Sequence, residues 1–148
     1  MDIYAITFKV CDVLVAPFWL SMIFLPRWKG TDKLMRPLWP IFLLCLPYAL
    51  LNIPYYLTNL PIFARGNLAE IARLFTDPHC VALAWIHFLA VDLFVGRWIH
   101  FDSLERGYSR WLVAPCLLLT LLVGPTGTCA YLLLRALKAP AAPQPAAA

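Results

Sequence analysis

Residues 79–100 read HCVALAWIHFLAVDLFVGRWIH, a run in which ionisable side chains are few and apolar ones dominate. A helix needs about 20 apolar residues to cross the roughly 30 Å hydrocarbon core of a bilayer. Stretches of similar length and character occur at 4–25, 38–59 and 111–134. The sequence therefore predicts an all-α, polytopic membrane protein built as a bundle of four transmembrane helices.

The composition supports this class. Hydrophobic residues make up 62% of the chain and charged residues 14%, with a mean hydropathy of +0.74. A soluble domain is roughly 45–50% apolar and about 25% charged. A chain of this length buries only about two thirds of its surface on folding, so the excess apolar surface must face lipid.

Charge and cysteine spacing argue against several classes of site. The net charge is +4, and the basic residues do not form one stripe, so we expect no nucleic-acid partner. The five cysteines show no CxxC spacing, which argues against a redox motif or a zinc site. We expect no metal and no cofactor.

Residues 1–138 form one predicted transmembrane domain. Between the second and third spans, Asn67 and Glu70 have capping-box spacing, which predicts a short interfacial helix in this second loop. Prolines at seven-residue intervals predict a bend in the second span, and Gly124-Pro125 predicts a break in the fourth. Residues 139–148, APAAPQPAAA, are predicted to be a disordered Ala/Pro tail.

Loop charges give an orientation. The first and third loops are richer in Lys and Arg than the second loop and the tail, so the positive-inside rule predicts that both termini lie outside the cytoplasm. The N-terminus lacks the basic region of a signal peptide, and no transit peptide is evident. We expect a multi-pass protein of a bacterial inner membrane.

Ionisable side chains inside a span are costly and therefore mark functional hypotheses. The third span contains His87, Asp92 and Arg97, each about 140° around the helix from the one before. Because they point to different sides, we expect the third span to be central in the bundle. An unpaired Asp92 carboxylate in apolar surroundings is expected to take up a proton.

Helix geometry predicts a polar layer across the bundle. At 1.5 Å per residue, Asp12 and His87 both lie about 12 Å from the starts of their spans, and Asn52 returns to that level. Gly124 arrives nearby, whereas Asp92 lies about 8 Å further, near Thr120. Such a layer is either a buried binding site or a structural hydrogen-bond network. The substrate-binding candidates are Asp12, Asn52, Arg97 and Gly124.

Residues 85–103, WIHFLAVDLFVGRWIHFDS, resemble the signature of the abscisic-acid-deficient-four-like family. GPTG at 124–127, followed by YLLLR at 131–135, is similar to the last span of that family. The resemblance implies a small four-span membrane protein, with members in plants, algae and bacteria.

In plants this family is implicated in making neoxanthin from violaxanthin, an isomerisation in which an epoxide opens and an allene forms. That chemistry needs an acid for the epoxide oxygen and a base for a carbon-bound proton, and Asp92 and His87 are the candidate catalytic residues. The resemblance implies an isomerase or accessory subunit acting on a carotenoid or other isoprenoid ligand. The alternative is a non-catalytic structural or assembly partner of other membrane proteins or of a second copy.

Overall fold

Eight helices and no strand make up residues 2–137, the part of the chain that this computed structural model describes. The predicted tail at 139–148 lies outside these residues. The helices are α1 (Ile3–Phe24), α2 (Lys29–Met35), α3 (Trp39–Thr58), α4 (Leu60–Arg65), α5 (Leu68–Leu74), α6 (Pro78–Glu105), α7 (Arg110–Val123) and α8 (Pro125–Leu137). The all-α prediction is confirmed.

Three segments are long and apolar enough to cross a membrane: Ile3–Phe24, Lys29–Thr58 and Pro78–Glu105. They correspond to the first three predicted spans. Each runs antiparallel to the next, so the bundle has two ends. The N-terminal end holds the start of α1, the helices α4 and α5, and the start of α6. The C-terminal end holds α2 and the α6–α7 connection.

Helix α6 occupies the centre of the bundle, as predicted, and packs against α1, α3 and α7. Its side chains Ile86, Leu93 and Ile99 are fully buried. The helix is longer than the predicted span 79–100. It begins earlier because Asp77 caps it, accepting a hydrogen bond from the His79 backbone nitrogen at 3.0 Å, and it continues to Glu105.

The connection at the N-terminal end contains the predicted capped helix, now seen as α5. Asn67 Oδ1 accepts hydrogen bonds from the backbone nitrogens of Ala69, at 2.9 Å, and Glu70, at 3.2 Å. The Glu70 carboxylate pairs with Arg65 at 2.9 Å. The cap is therefore present, while the acidic side chain is used to tie α5 to α4, a helix that the sequence did not predict.

Helix α2 was also not predicted, because its seven residues contain Gly30 and lack an apolar run. It folds back over the end of α1, where buried Thr31 donates a hydrogen bond to the Leu25 carbonyl at 2.8 Å. Helix α3 follows it, continues through Pro47 and Pro54, and ends at Thr58.

The predicted fourth span at 111–134 is not confirmed as a membrane crossing, whereas the predicted break at Gly124-Pro125 is present. Helix α7 has 14 residues, about 21 Å, which is short of the bilayer core. It ends at Gly124, which has a positive φ of 40°, and Pro125 cannot extend it. Helix α8 then folds back, since a Cβ on Gly127 would collide with the backbone nitrogen of Thr120 and the carbonyl of Cys116.

Contacts further along α8 fix where it goes. Tyr131 reaches Asp102 near the end of α6, and its ring packs edge-on against Trp98 at 5.5 Å. The last described residues therefore lie at the C-terminal end of the bundle, close to where α7 began. Together α7 and α8 form a hairpin, which we call the α7–α8 hairpin, that extends about halfway along α6.

Candidate functional site

Asp92 lies at the middle of α6, about 20 Å along the helix axis from either end. The tip of the α7–α8 hairpin rests on it, since a Cβ added at Gly124 would come 2.7 Å from Asp92 Oδ1. A glycine is required at the tip for this approach. Within residues 2–137 no donor hydrogen-bonds the Asp92 carboxylate. The structure thus brings Gly124, a substrate-binding candidate, directly against Asp92, a catalytic candidate.

The hairpin tip also places Asp92 at the start of α8. The first backbone N–H groups of a helix have no partner within the helix, and the helix dipole gives that end a partial positive charge. The same tip is also the C-terminal end of α7, whose unpaired carbonyls carry the opposite partial charge, so the two helix ends largely offset each other beside Asp92.

An apolar face of α6 continues from Asp92 toward the N-terminal end. Val81, Trp85 and Phe88 are spaced so that they lie on the same side of the helix as Asp92. Their exposed fractions are 45%, 44% and 55%. The hairpin stops at Asp92 and does not cover them. We call these three side chains the open face of α6.

Asp12 is held at the edge of this open face. Trp85 donates its indole N–H to Asp12 Oδ1 at 3.1 Å, which joins α1 to α6. Both side chains are exposed, so the pair faces outward from the bundle. Asp12 therefore lies on the same side of α6 as Asp92, about two helical turns nearer the N-terminal end.

The predicted polar layer of Asp12, Asn52 and His87 does not form. Trp85, which binds Asp12, lies about 200° around α6 from His87, which instead packs against Tyr48 of α3 with ring centroids 5.5 Å apart. Because Tyr48 is level with His87, Asn52 lies about one turn nearer the N-terminal end. The predicted depths of Asp12 and Asn52 agree with the structure to about one turn, whereas Gly124 lies level with Asp92 and not with His87. Depth alone could not show which faces of the helices the side chains occupy.

The two catalytic candidates lie on different faces of α6. The His87 ring is exposed and points toward α3, whereas Asp92 points toward the hairpin tip. His87 and Asp92 therefore do not face each other across a shared space in which one substrate could lie.

Arg97, a substrate-binding candidate, is engaged with the chain itself. Its Nε donates to the Met35 carbonyl and its Nη2 to the Arg36 carbonyl, both at 2.6 Å. The guanidinium also lies 5.0 Å from the centre of the Phe101 ring. These contacts satisfy carbonyls at the end of α2, where a cation is also favoured by the helix dipole.

The sequence did not predict the cluster of polar side chains that surrounds Asp102. Asp102 Oδ2 accepts hydrogen bonds from the Tyr131 hydroxyl, at 2.6 Å, and from Arg106 Nε, at 2.9 Å, and pairs with Arg135 Nε at 3.3 Å. Asp102 and Arg106 are four residues apart, and so are Tyr131 and Arg135. This spacing places the two members of each pair on one face of their helix. Sequence reasoning could not connect the two pairs, because a fourth span that crosses the membrane would place Arg135 at the N-terminal end of the bundle, far from Asp102.

At the N-terminal end, Asp77 joins three elements. It caps α6, accepts a hydrogen bond from the Tyr55 hydroxyl at 2.9 Å, and lies 3.7 Å from His79 Nδ1. The hydrogen bond from the His79 backbone N–H, followed by that from Tyr55, lowers the pKa of Asp77 from its ordinary value. His79 also contacts Asp2 at 2.8 Å, which ties in the start of α1.

Metal ligands are not grouped in the described part of the chain. Over residues 2–137, no cluster of three or more His, Cys, Asp or Glu side chains is arranged to hold a metal ion. The five cysteines are unpaired, with Cys45 and Cys129 exposed. The ionisable side chain that the hairpin tip contacts is Asp92.

Two comparisons bear on the identity of the chain. A family model described as ABA DEFICIENT 4-like matches residues 6–131. Over 96 residues the chain is 31% identical to "Protein ABA DEFICIENT 4, chloroplastic" from Arabidopsis thaliana, which covers 61% of this chain and 44% of that protein. The match thus spans less than half the length of this relative. No solved structure matches the chain.

Proposed function

Because the chain belongs to the ABA DEFICIENT 4-like family, we propose that it is an integral membrane protein that acts on a carotenoid or another long isoprenoid. Asp92 is the group that transfers protons. The observation that carries this proposal is the Asp92 carboxyl group itself. It sits at mid-height in the bundle without a hydrogen-bond donor among residues 2–137, between a glycine hairpin tip and the open face of α6.

The proposal includes a membrane topology. The three long helices cross the bilayer, and the α7–α8 hairpin enters and leaves through the same surface. Its tip then lies near the bilayer midplane, because Asp92 is central in the helix of 28 residues. Irregular backbone at this depth is tolerated only where it is buried in protein or lines a cavity. Packing of Gly124 on α6 meets that requirement.

The substrate class follows from the surroundings of Asp92. A long hydrocarbon can lie along Val81, Trp85 and Phe88, which offer aromatic and aliphatic surface open to lipid. Such a molecule reaches Asp92 from within the bilayer, without passing through water. A polar substituent on an otherwise apolar chain would be drawn to the carboxyl group of Asp92, the ionisable side chain that the tip contacts among the described residues.

The chemistry expected from the family is an isomerisation, and one carboxyl group can carry it. The protonated Asp92 gives its proton to an epoxide oxygen as the carbon–oxygen bond breaks. Its other oxygen accepts the proton released from carbon as the new carbon–carbon π bond forms. No atom or electron is gained or lost, and Asp92 is regenerated in its protonated form. A mechanism in which Asp92 serves as both acid and base needs no second group, and so it is compatible with the position of His87 on a different face of α6.

The test is to produce the protein in a host that accumulates epoxy-carotenoids and to quantify pigments by liquid chromatography and mass spectrometry. We expect a new isomer of unchanged mass, and Asp92→Asn should lower its formation at least about 100-fold, the usual scale for a lost acid–base group. The control is Asp32→Asn, since Asp32 is exposed on α2 and pairs only with Arg36. Full activity in Asp92→Asn would refute the role of Asp92.

The same experiment distinguishes an enzyme from the alternative, a non-catalytic partner of other membrane proteins. If the wild-type protein leaves every pigment unchanged on its own but restores a product when a further membrane protein is supplied, the chain is an accessory subunit. In that case Asp92→Asn should weaken capture of that protein in mild detergent, because an unpaired carboxyl group would then bind a partner.

A further inference from the structure

A cleft with two arginines opens at the C-terminal end of the bundle. It lies between the turn after α1 and the start of α7, with a volume of about 610 Å³. We call it the basic cleft. Its lining includes Arg27, Trp28, Ser109, Arg110 and Trp111. No acidic side chain lines it.

Neither arginine of the basic cleft is neutralised. Within residues 2–137 the ion pairs involve other basic groups, and no carboxylate lies within 4.0 Å of Arg27 or Arg110. The Arg110 guanidinium lies 4.8 Å from the centre of the Trp111 ring, which leaves its N–H donors unused. Two free guanidinium groups facing one cleft favour an anion there.

Backbone donors meet the same place. Ser109 is the N-cap of α7 but its side chain makes no capping hydrogen bond, so the backbone N–H groups of Arg110 and Trp111 have no partner within this 14-residue helix. Arg27 and Arg110 also line a small adjoining void with His100, whose ring nitrogen Nε2 has no partner although the residue is only 1% exposed. An incoming anion would therefore find donors that no other group of the described residues uses.

An apolar groove leads away from the basic cleft. It runs between α1 and α7, has a volume of about 860 Å³, and shares Phe24 and Trp111 with the cleft. Its lining includes the small side chains Ala16 and Ala114, and near Leu122 it reaches Trp85 of α6 and Asp12 of α1. From Trp111 to Leu122 it is about 16 Å long, roughly the depth of one leaflet of hydrocarbon. We call it the α1–α7 groove.

We propose that these two features bind one anionic phospholipid, with its phosphate in the basic cleft and an acyl chain in the α1–α7 groove. A soluble phosphate would use the arginines and leave the groove empty, whereas a zwitterionic lipid would fill the groove and leave an uncompensated positive charge. Trp28 and Trp111 flank the mouth, at the level where indole rings meet lipid headgroups. The far end of the groove meets Trp85 of the open face of α6, but the lipid proposal does not require the role proposed for Asp92.

Native mass spectrometry in mild detergent tests the proposal, with phosphatidylglycerol and phosphatidylcholine of the same acyl chains as probes. We expect one phosphatidylglycerol to be retained where phosphatidylcholine is lost. Each arginine near an anionic lipid strengthens binding about fivefold, so Arg27→Gln with Arg110→Gln should weaken retention about 25-fold. The matched control is Arg65→Gln with Arg73→Gln at the N-terminal end, which should retain the lipid as the wild type does.

A second variant keeps the test decisive if the double variant does not fold. Ala16→Leu narrows the α1–α7 groove and leaves both arginines in place. It should weaken retention of long-chain phosphatidylglycerol severalfold and leave that of a six-carbon form unchanged. Equal retention of both headgroups by the wild type, or undiminished retention in Ala16→Leu, would overturn the proposal.

Discussion

Contact between Asp92 and Gly124 depends on two properties of one residue. Gly124 has a φ of 40°, which side chains other than glycine rarely adopt, and it leaves no room for a Cβ beside the Asp92 carboxylate. The sequence showed both residues as unusual within apolar segments. It could not show that they touch, because the contact joins positions 32 residues apart through a reversal of chain direction.

Gly124→Ala should therefore destabilise the protein by more than backbone strain alone. A residue in the left-handed helical region carries a strain of about 1–2 kcal/mol, and an alanine at Gly124 should exceed it because φ 40° is combined there with ψ −96°, outside that region. Crowding of Asp92 should add about 1 kcal/mol or more. The measurement is thermal unfolding in detergent.

Gly66→Ala is the matched control for that prediction. Gly66 also has a positive φ, of 60°, but a Cβ there would meet nothing within 4 Å. Because Gly66, with ψ 23°, is in the left-handed helical region, its variant should lose only about 1–2 kcal/mol. Equal losses in the two variants would mean that the hairpin tip does not press on Asp92.

Asp77 gives a prediction about pH. Its pKa is lowered in the folded protein, so its contribution to stability is complete above its unfolded value of about 3.9 and is lost as the pH falls through the lower folded value. The melting temperature should thus fall between about pH 5 and pH 3. Asp77→Asn keeps a capping side chain and should reduce that fall, with a small effect at pH 7. An unchanged pH profile in this variant would exclude Asp77 as a source of the acid sensitivity.

At the scale of elements, local signals predicted where helices begin and end better than where they go. Asn67 identified the start of α5, and Gly124-Pro125 identified the end of α7, because caps and breaks are set by neighbouring residues. The return of α8 along α7 depends on Tyr131 and Arg135 meeting Asp102, a contact between distant positions. Hydropathy favoured a single membrane crossing, interrupted at Gly124, because α7 and α8 are both apolar.

Close packing of the two hairpin helices makes Gly127 a sensitive position. Gly127→Ala places a methyl group against the backbone of Thr120, which cannot move as a side chain can. Overpacking of this kind costs about 1–3 kcal/mol, so the variant should melt at a lower temperature.

The comparison for Gly127→Ala is Gly30→Ala in α2. A methyl group there meets only the ring of Trp28, a side chain that is 58% exposed and free to turn away. We expect little change in the melting temperature of this variant. If Gly127→Ala is equally well tolerated, the hairpin helices are not in backbone contact.

For the whole molecule, the hairpin changes the expected orientation. Because the last described residues lie at the C-terminal end of the bundle, the basic residues of 2–137 are distributed unevenly between its two ends. Arg65 and Arg73 lie at the N-terminal end, and Lys9 lies within the first turns of α1. Those at the C-terminal end are Arg27, Lys29, Lys33, Arg36, Arg97, Arg106, Arg110 and Arg135.

We therefore predict that the two termini lie on opposite sides of the membrane, with the C-terminal end in the cytoplasm. This differs from the orientation that four crossings predicted. Fusions of a reporter active only outside the cytoplasm should be active at the N-terminus and inactive at the C-terminus. Equal activity at both termini would restore the topology with four crossings.

The short α7–α8 hairpin also has a consequence for synthesis. Neither of its helices is long enough to be retained in a bilayer as a crossing segment, and both carry arginine at the end that returns to the surface. Helix α7 packs against α1 and α6, whereas the docking of α8 on α6 depends on Asp102, which is already in place when Tyr131 and Arg135 leave the ribosome. We expect a chain that stops before Tyr131 to insert its first three helices normally and to leave its last segment undocked, exposed to quality-control proteases.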